Sequence, residues 1–302
     1  RLRAGHDLPH DPRPRSRVGT RPAAGRGVRL RFGTSGIPRS TRKPGTDHGI
    51  RRARELGLDC LEMAWVRGVR MGGGAADRIA AAARETGLEL TAHGPYYVNL
   101  CGSAEVVQLS LDRLLHTARL AERCGAGSFC FHAGFYQKLD PAEADRQVRA
   151  GLARITAQLR REGVRVDVRP ELTGKPTQVG SLEEILAWSA TIEGVRPCVD
   201  FSHQYARHGG AFNTYREFGE TLERIRDRLG CSALERLHVH IAGIEFGPRG
   251  EQRHLPLRQS RFRYRELLRA LKDCRVSGWV VCESPAMEDD ALLLQRAYRR
   301  LR

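Results

Sequence analysis

Eight times along this chain a short apolar run gives way to a polar break and then to a longer stretch with apolar residues at helical spacing. The short runs are VRLRFGT, DCLEMAWV, LELTAH, GSFCFHAG, VRVDVRPEL, VRPCVDFSH, ERLHVHIAG and GWVVCESP. Strict strand–helix alternation argues for a parallel sheet, since parallel neighbours need a long crossover, and eight units argue for closure into a barrel. The expected fold is a single α/β domain, a (β/α)8 TIM barrel, over residues 28–302. An open doubly wound sheet would carry a glycine-rich phosphate loop after the first strand, and GTSGIP lacks the G-x-G-x-x-G spacing. Thr46 or Asp47 is expected to cap the first helix, Gly57 to stop it, Gly87 to end the second, and Pro141 to open the fourth.

Nine residues of metal-ligand type follow or close these runs: His93, His132, Glu171, Asp200, His203, His238, Glu251, His254 and Glu283. In a barrel of this class the carboxyl ends of the strands converge on one face. Singly, each has a bland reading: a histidine after a strand is commonly a hydrogen bonder, and a glutamate there can pair with a neighbouring strand. Jointly they do not, because buried charges without partners are costly. Asp200 and His203 form a D-x-x-H that a partly extended turn could deliver to one pocket. His238 and His240 share one face of a regular strand, and only one of them need be a ligand. Glu251 and His254 fall in FGPRGEQRHL, expected to be an irregular loop. Imidazole and carboxylate donors without thiolates suit Zn²⁺, with Mn²⁺ as the alternative. Nine donors suffice for two to three ions if one carboxylate bridges, and clustered divalent ions suit phosphodiester hydrolysis.

The net charge is +16. Residues 1–27 hold seven Arg against Asp7 and Asp11 and are rich in Pro and Gly, so they are expected to be a disordered basic tail or the product of a misassigned start. What remains is still basic, which suits a polyanionic partner, although an Arg-rich composition alone accounts for it equally well. No apolar stretch reaches the roughly 20 residues of a membrane span, and no apolar segment follows the basic N-terminus, so a cytoplasmic location is expected. The eight cysteines form no C-x-x-C pair, which argues against a thiolate zinc site; Cys130, Cys198 and Cys282 read as small buried hydrophobes.

From about Val28 onward the chain resembles the endonuclease IV family of apurinic/apyrimidinic endonucleases, within the xylose-isomerase-like TIM barrels. The stretches that carry the resemblance are GTSGIP, AHGPYYVNL, FHAG, RPELTGK, PCVDFSH, LHVHIAG, FGPRGEQRHL and CESP, in family order. The resemblance implies three zinc ions. His93, His132 and Glu171 would bind the first. Glu171 would bridge to the second, with Asp200, His238 and Glu283. His203, Glu251 and His254 would bind the third. It implies a monomeric DNA-repair hydrolase that cleaves 5′ of abasic sites through a metal-bridging hydroxide, with Glu171 as the catalytic carboxylate. Tyr96 would wedge into the duplex, and Arg67 and Arg70 would contact DNA. Two stretches depart from the best-known members and resemble a divergent, archaeal-like branch: Glu251-Gln-Arg-His254 replaces Asp-x-His, and His238-Val-His240-Ile replaces His-x-Asn-Asp.

Two other readings compete. A divalent-metal sugar isomerase or epimerase of the same superfamily needs one ion, and Glu171, Asp200, His238 and Glu283 would satisfy it; His93, His132, His203 and His254 would then be superfluous. A catalytically idle DNA-binding barrel is the third reading, and ligand types at all nine positions argue against it.

Overall fold

The computed structural model describes residues 29–301 apart from Arg70, so the expected tail over residues 1–27 and the candidate Arg70 lie outside the described residues. Eight parallel strands run in chain order: β1 Leu30–Ser35, β2 Cys60–Ala64, β3 Glu89–His93, β4 Ser128–Phe131, β5 Asp167–Pro170, β6 Cys198–Asp200, β7 Leu237–Ile241 and β8 Gly278–Cys282. Successive strands pair in parallel, and β8 returns to β1. Between β5 and β6 the contact thins to the bridges Val168–Val195 and Glu171–Cys198, which complete the ring. The expected barrel is present.

The strands are short and apolar because both faces are covered. Outward residues such as Phe129, Phe131 and Val199 meet the helices, whose apolar stripes follow the 3.6-residue period. The helix Pro141–Glu162 buries Val148, Leu152, Ile155 and Leu159 in this way. Each such side chain contributes about 1.5–3 kcal/mol of burial. Pro141 does open its helix, with the Asp140 carboxylate accepting from the Glu143 amide at 3.0 Å. At the first helix the expected cap differs. Gly45 precedes Thr46–Glu55 with φ 123°, and Thr46 and Asp47 lie inside the first turn, where Asp47 faces the positive end of the helix dipole.

Two segments after the strands depart from a simple loop and helix. The helix Phe201–Arg207 starts directly at the end of β6, before Tyr215–Leu229. The stretch after β7, expected to be irregular, is an antiparallel hairpin of Gly243–Gly247 and Gly250–Leu255.

The ring is clasped where the last helix meets the loop after β1. The Glu288 carboxylate accepts from the backbone amides of Arg39 at 2.9 Å and Ser40 at 2.8 Å. Burial alone would raise its pKa, but these hydrogen bonds outweigh burial and lower it. A depressed folded-state pKa contributes stability above the unfolded value and loses it as pH falls through the folded one. Glu288→Gln is therefore expected to cost about 1–2 kcal/mol in urea unfolding at pH 7. The difference from the parent should shrink at pH 4, and an equal deficit at both values would show that the charge is not the cause.

Inside the ring the lining is polar. Glu62, Thr91, Cys130, Arg169, Cys198, His238 and His240 are all buried. Register sorts them by height: Asp200 pairs with His240 near the carboxyl mouth, and Cys198 pairs with His238 one layer below. At the amino end Arg169 donates to the carbonyls of Pro197 and Arg236, both at 2.9 Å.

Candidate metal centre

Glu171 follows β5 and is completely buried. Its two carboxylate oxygens face different donors. His93 Nε2 lies 3.0 Å and His132 Nε2 3.2 Å from Oε2. His240 Nδ1 lies 3.1 Å and His203 Nδ1 3.4 Å from Oε1. Glu171, Asp200, His240 and Glu283 bring their donor atoms within 4.8 Å of one another. A third group forms over the hairpin, where His203 Nε2 lies 3.4 Å from Glu251 Oε2 and 3.3 Å from His254 Nε2.

Local folding explains these placements. Asp200 caps the helix after β6, its Oδ1 accepting from the His203 amide at 2.7 Å. The D-x-x-H pair is thus a cap and the third residue of a helix, not a partly extended turn. The hairpin solves a parity problem. On a regular strand, residues three apart face opposite ways. Here Glu245 pairs with Arg253 and Phe246 with Glu251, so Gln252 is an extra residue, a bulge that turns Glu251 and His254 to the same side. That bulge absorbs the residue by which Glu251-Gln-Arg-His254 exceeds a D-x-H spacing. The outer ring nitrogens are also fixed, with His93 Nδ1 lying 2.8 Å from the Gly94 carbonyl and His203 Nδ1 3.0 Å from that of Leu172. Such contacts set tautomer and ring orientation.

The loop after β5 approaches the hairpin so closely that it admits no side chain. A Cβ on Gly174 would fall 2.6 Å from Glu251 Oε2 and 2.7 Å from Glu251 Cβ. Gly174→Ala is expected to push Glu251 away from His203 and His254. Metal analysis should then give one ion fewer per chain with the circular dichroism unchanged; an unaltered ion count would separate Glu251 from metal binding.

Of the residues singled out in the sequence, the structure gathers His93, His132, Glu171, Asp200, His203, Glu251, His254 and Glu283 at the mouth. It places His238 apart from Asp200 and Glu283. His238 Nε2 points down the barrel, 3.0 Å from Glu62 Oε2. His240 is the imidazole near Glu171 and Glu283, with Nδ1 3.5 Å from Glu283 Oε1. Both histidines share one face as expected, and the strand register lifts only His240 to the level of Asp200. Glu62, absent from the sequence reading, sits beneath, 3.3 Å from His240 Nε2. Its signal was a lone carboxylate inside the apolar run CLEMAW.

The electrostatics show how tightly these groups depend on one another. Burial would raise the Glu171 pKa, but His132 and His240 beside it hold it well below the usual carboxylate range. Burial opposes protonation of His93, yet the adjacent Glu171 carboxylate pushes it up to about 9. Asp200 goes the other way, raised by burial with Glu283 and Glu171 nearby. Divalent ions fit this donor set. His132 Nε2 and Asp200 Oδ2 are buried without a hydrogen-bond partner, a costly condition that an ion relieves. Donors 2.0–2.1 Å from one tetrahedral ion sit about 3.3 Å apart, close to the Glu171 and His203 contacts above.

The mouth opens as a pocket of about 240 Å³. Tyr96 and Phe135 stand on its edge, 52% and 40% exposed, with Lys175 beside them. The Tyr96 ring meets His93 edge-on at 5.4 Å. Its amide donates to the Val66 carbonyl at 3.0 Å, tying it to the loop of the exposed Arg67. Arg207 Nη1 donates to the carbonyls of Lys175 and Gln178 at 2.6 and 3.1 Å and so props the loop that carries Lys175. Phe135 had no motif to mark it, whereas Lys175 closes the stretch RPELTGK, in which only Glu171 was singled out.

Residues 50–302 match the xylose isomerase-like TIM barrel family. An uncharacterized protein of Methanocaldococcus jannaschii is 38% identical over 279 residues, covering 91% of this chain and 99% of that protein. Among solved structures, endonuclease IV of Thermus thermophilus superposes with a TM-score of 0.70 at 21% identity, over 89% of this chain and 97% of that one. A D-tagatose 3-epimerase-like protein gives 0.68 at 17% identity, over 89% and 96%. The 3-keto-D-glucoside 4-epimerase of E. coli gives 0.65 at 18% identity, over 89% and 100%. At these identities the shared property is the fold, and it does not choose between the chemistries. No described helix is long and apolar enough to cross a membrane.

Proposed function

The chain belongs to the xylose isomerase-like TIM barrel family, and on that premise we propose that it is a metal-dependent phosphodiesterase that nicks DNA 5′ of abasic sites. One observation supports this reading: the two oxygens of Glu171 face separate donor groups, an arrangement that would suit more than one ion. In the proposed assignment His93, His132 and Glu171 hold one zinc ion, Glu171, Asp200, His240 and Glu283 a second, and His203, Glu251 and His254 a third. His240 thus takes the place first assigned to His238. Such ions activate water near neutral pH and neutralise charge on a phosphodiester. The protein's own groups do the rest. Glu171 fixes the spacing of the donor groups, the Lys175 ammonium meets a backbone phosphate, and Tyr96 and Phe135 offer flat apolar faces to an unstacked base. Arg67 reaches the duplex from the neighbouring loop.

The test is a labelled duplex with one abasic site. Zinc-loaded protein should cut it 5′ of the lesion, leave the undamaged duplex intact, and lose roughly a hundredfold in affinity between 50 and 200 mM salt if about four phosphates are neutralised. Tyr96→Ala should weaken binding by about 1–2 kcal/mol. Binding indifferent to salt would point to a small neutral substrate.

That alternative, sugar isomerisation or epimerisation, has one observation in its favour. Glu171, Asp200, His240 and Glu283 form a complete one-ion set of their own. The gathering of His93, His132, His203 and His254 around it favours the nuclease. Turnover of ketohexoses with no cutting of DNA would reverse the choice.

A further inference from the structure

Beneath the mouth, inside the barrel, four buried side chains of another kind converge: Cys130 on β4, Cys198 on β6, and His238 and His240 on β7. We propose that they form a separate, thiolate-containing site for a zinc-type cation, enclosed in the barrel core. Their donor atoms all lie within 4.8 Å of one another, and all four residues are buried.

The spacing argues for an ion rather than for packing. Around tetrahedral zinc, with Zn–N about 2.0–2.1 Å and Zn–S about 2.3 Å, two nitrogens stand about 3.3 Å apart and a nitrogen and a sulfur about 3.5 Å. Here His238 Nε2 and His240 Nε2 are 3.2 Å apart, and Cys130 Sγ is 3.7 Å from His240 Nε2. Protons shared with Glu62 can satisfy both imidazoles, but two thiols and two imidazoles in fourfold array are the soft donor set that selects zinc-like ions. Glu62 Oε2 lies 3.0 Å from His238 Nε2 and 3.5 Å from Cys130 Sγ, so a carboxylate stands ready to offset the cation's charge.

His240 connects this site to the mouth. Its Nε2 faces the thiols while its Nδ1 faces Glu171 and Glu283. With both sites filled, His240 would offer Nε2 to the lower ion and Nδ1 to the mouth. The inference does not depend on the substrate, since a sugar epimerase could hold the same site.

The experiment uses the full chain, stripped with chelator and reloaded with Co²⁺. Sulfur-to-cobalt charge-transfer absorption in the near ultraviolet is expected, as is its loss in Cys130→Ser/Cys198→Ser together with one bound ion per chain. A band that survives in the double variant, or no band in the parent, overturns the proposal. Should the double variant fail to fold, zinc X-ray absorption on the unaltered protein decides: a sulfur shell at about 2.3 Å supports the site, and nitrogen and oxygen neighbours alone overturn it. A disulfide between Cys130 and Cys198 in the metal-loaded protein overturns it as well.

Discussion

Glu171→Gln is expected to reduce nicking of an abasic duplex by about a thousandfold or more, since several kcal/mol of electrostatic stabilisation correspond to that many decades. Gln matches Glu in size but replaces one charged oxygen with an N–H₂ donor. Whichever way the amide turns, one of the two donor groups, His93 with His132 or His240 with His203, meets a donor where it had an acceptor. Those imidazoles also lose the carboxylate that faces them in an environment where unpaired charge is costly. The variant should keep its fold, because the contacts of Glu171 are polar and the hydrophobic core lies elsewhere, between the strands and the helices. Nicking at the parental rate by a folded Glu171→Gln would remove Glu171 from the chemistry.

Removing metal is expected to act on both activity and stability. A ligand that binds only the folded state stabilises it by about 2.7 kcal/mol when present at a hundred times its dissociation constant. Exhaustive chelation should therefore abolish nicking and lower the thermal midpoint by about 5 °C or more, with zinc restoring both. The reason lies in the donors: buried His132 Nε2 and Asp200 Oδ2 make no hydrogen bond. Calorimetry with and without chelator is the measurement. An unchanged midpoint would mean that these groups form a self-sufficient hydrogen-bonded cluster.

The barrel was legible in the sequence because alternation is a local signal: each apolar run and each helical stretch declares itself within about ten residues. Most of the mouth was legible for the same reason, since His93, His132, Glu171, Asp200 and Glu283 each stand at the end of such a run. What needed the structure was register. Nothing in LHVHI says which histidine reaches the mouth; the pairing of β6 with β7 does, setting His240 level with Asp200 and His238 level with Cys198. The bulge at Gln252 was hidden likewise, because it depends on the partner strand rather than on the spacing of Glu251 and His254. Cys130 and Cys198 are buried as expected, but no short spacing joins them to signal that they lie together. They come from two strands and meet only across the closed ring. Glu62 escaped for a related reason: it lies in mid-strand, and its partners Thr91, His238 and His240 come from the other strands that line the interior.

Anomalous X-ray scattering from crystals of the zinc-loaded protein shows whether the mouth holds more than one ion across Glu171. The expected result is at least two peaks at the mouth, one beside each Glu171 oxygen and roughly 3.5–4 Å apart. A single peak enclosed by Glu171, Asp200, His240 and Glu283, with nothing beside His93 and His132, would rule out the multi-ion mouth and favour a one-ion isomerase.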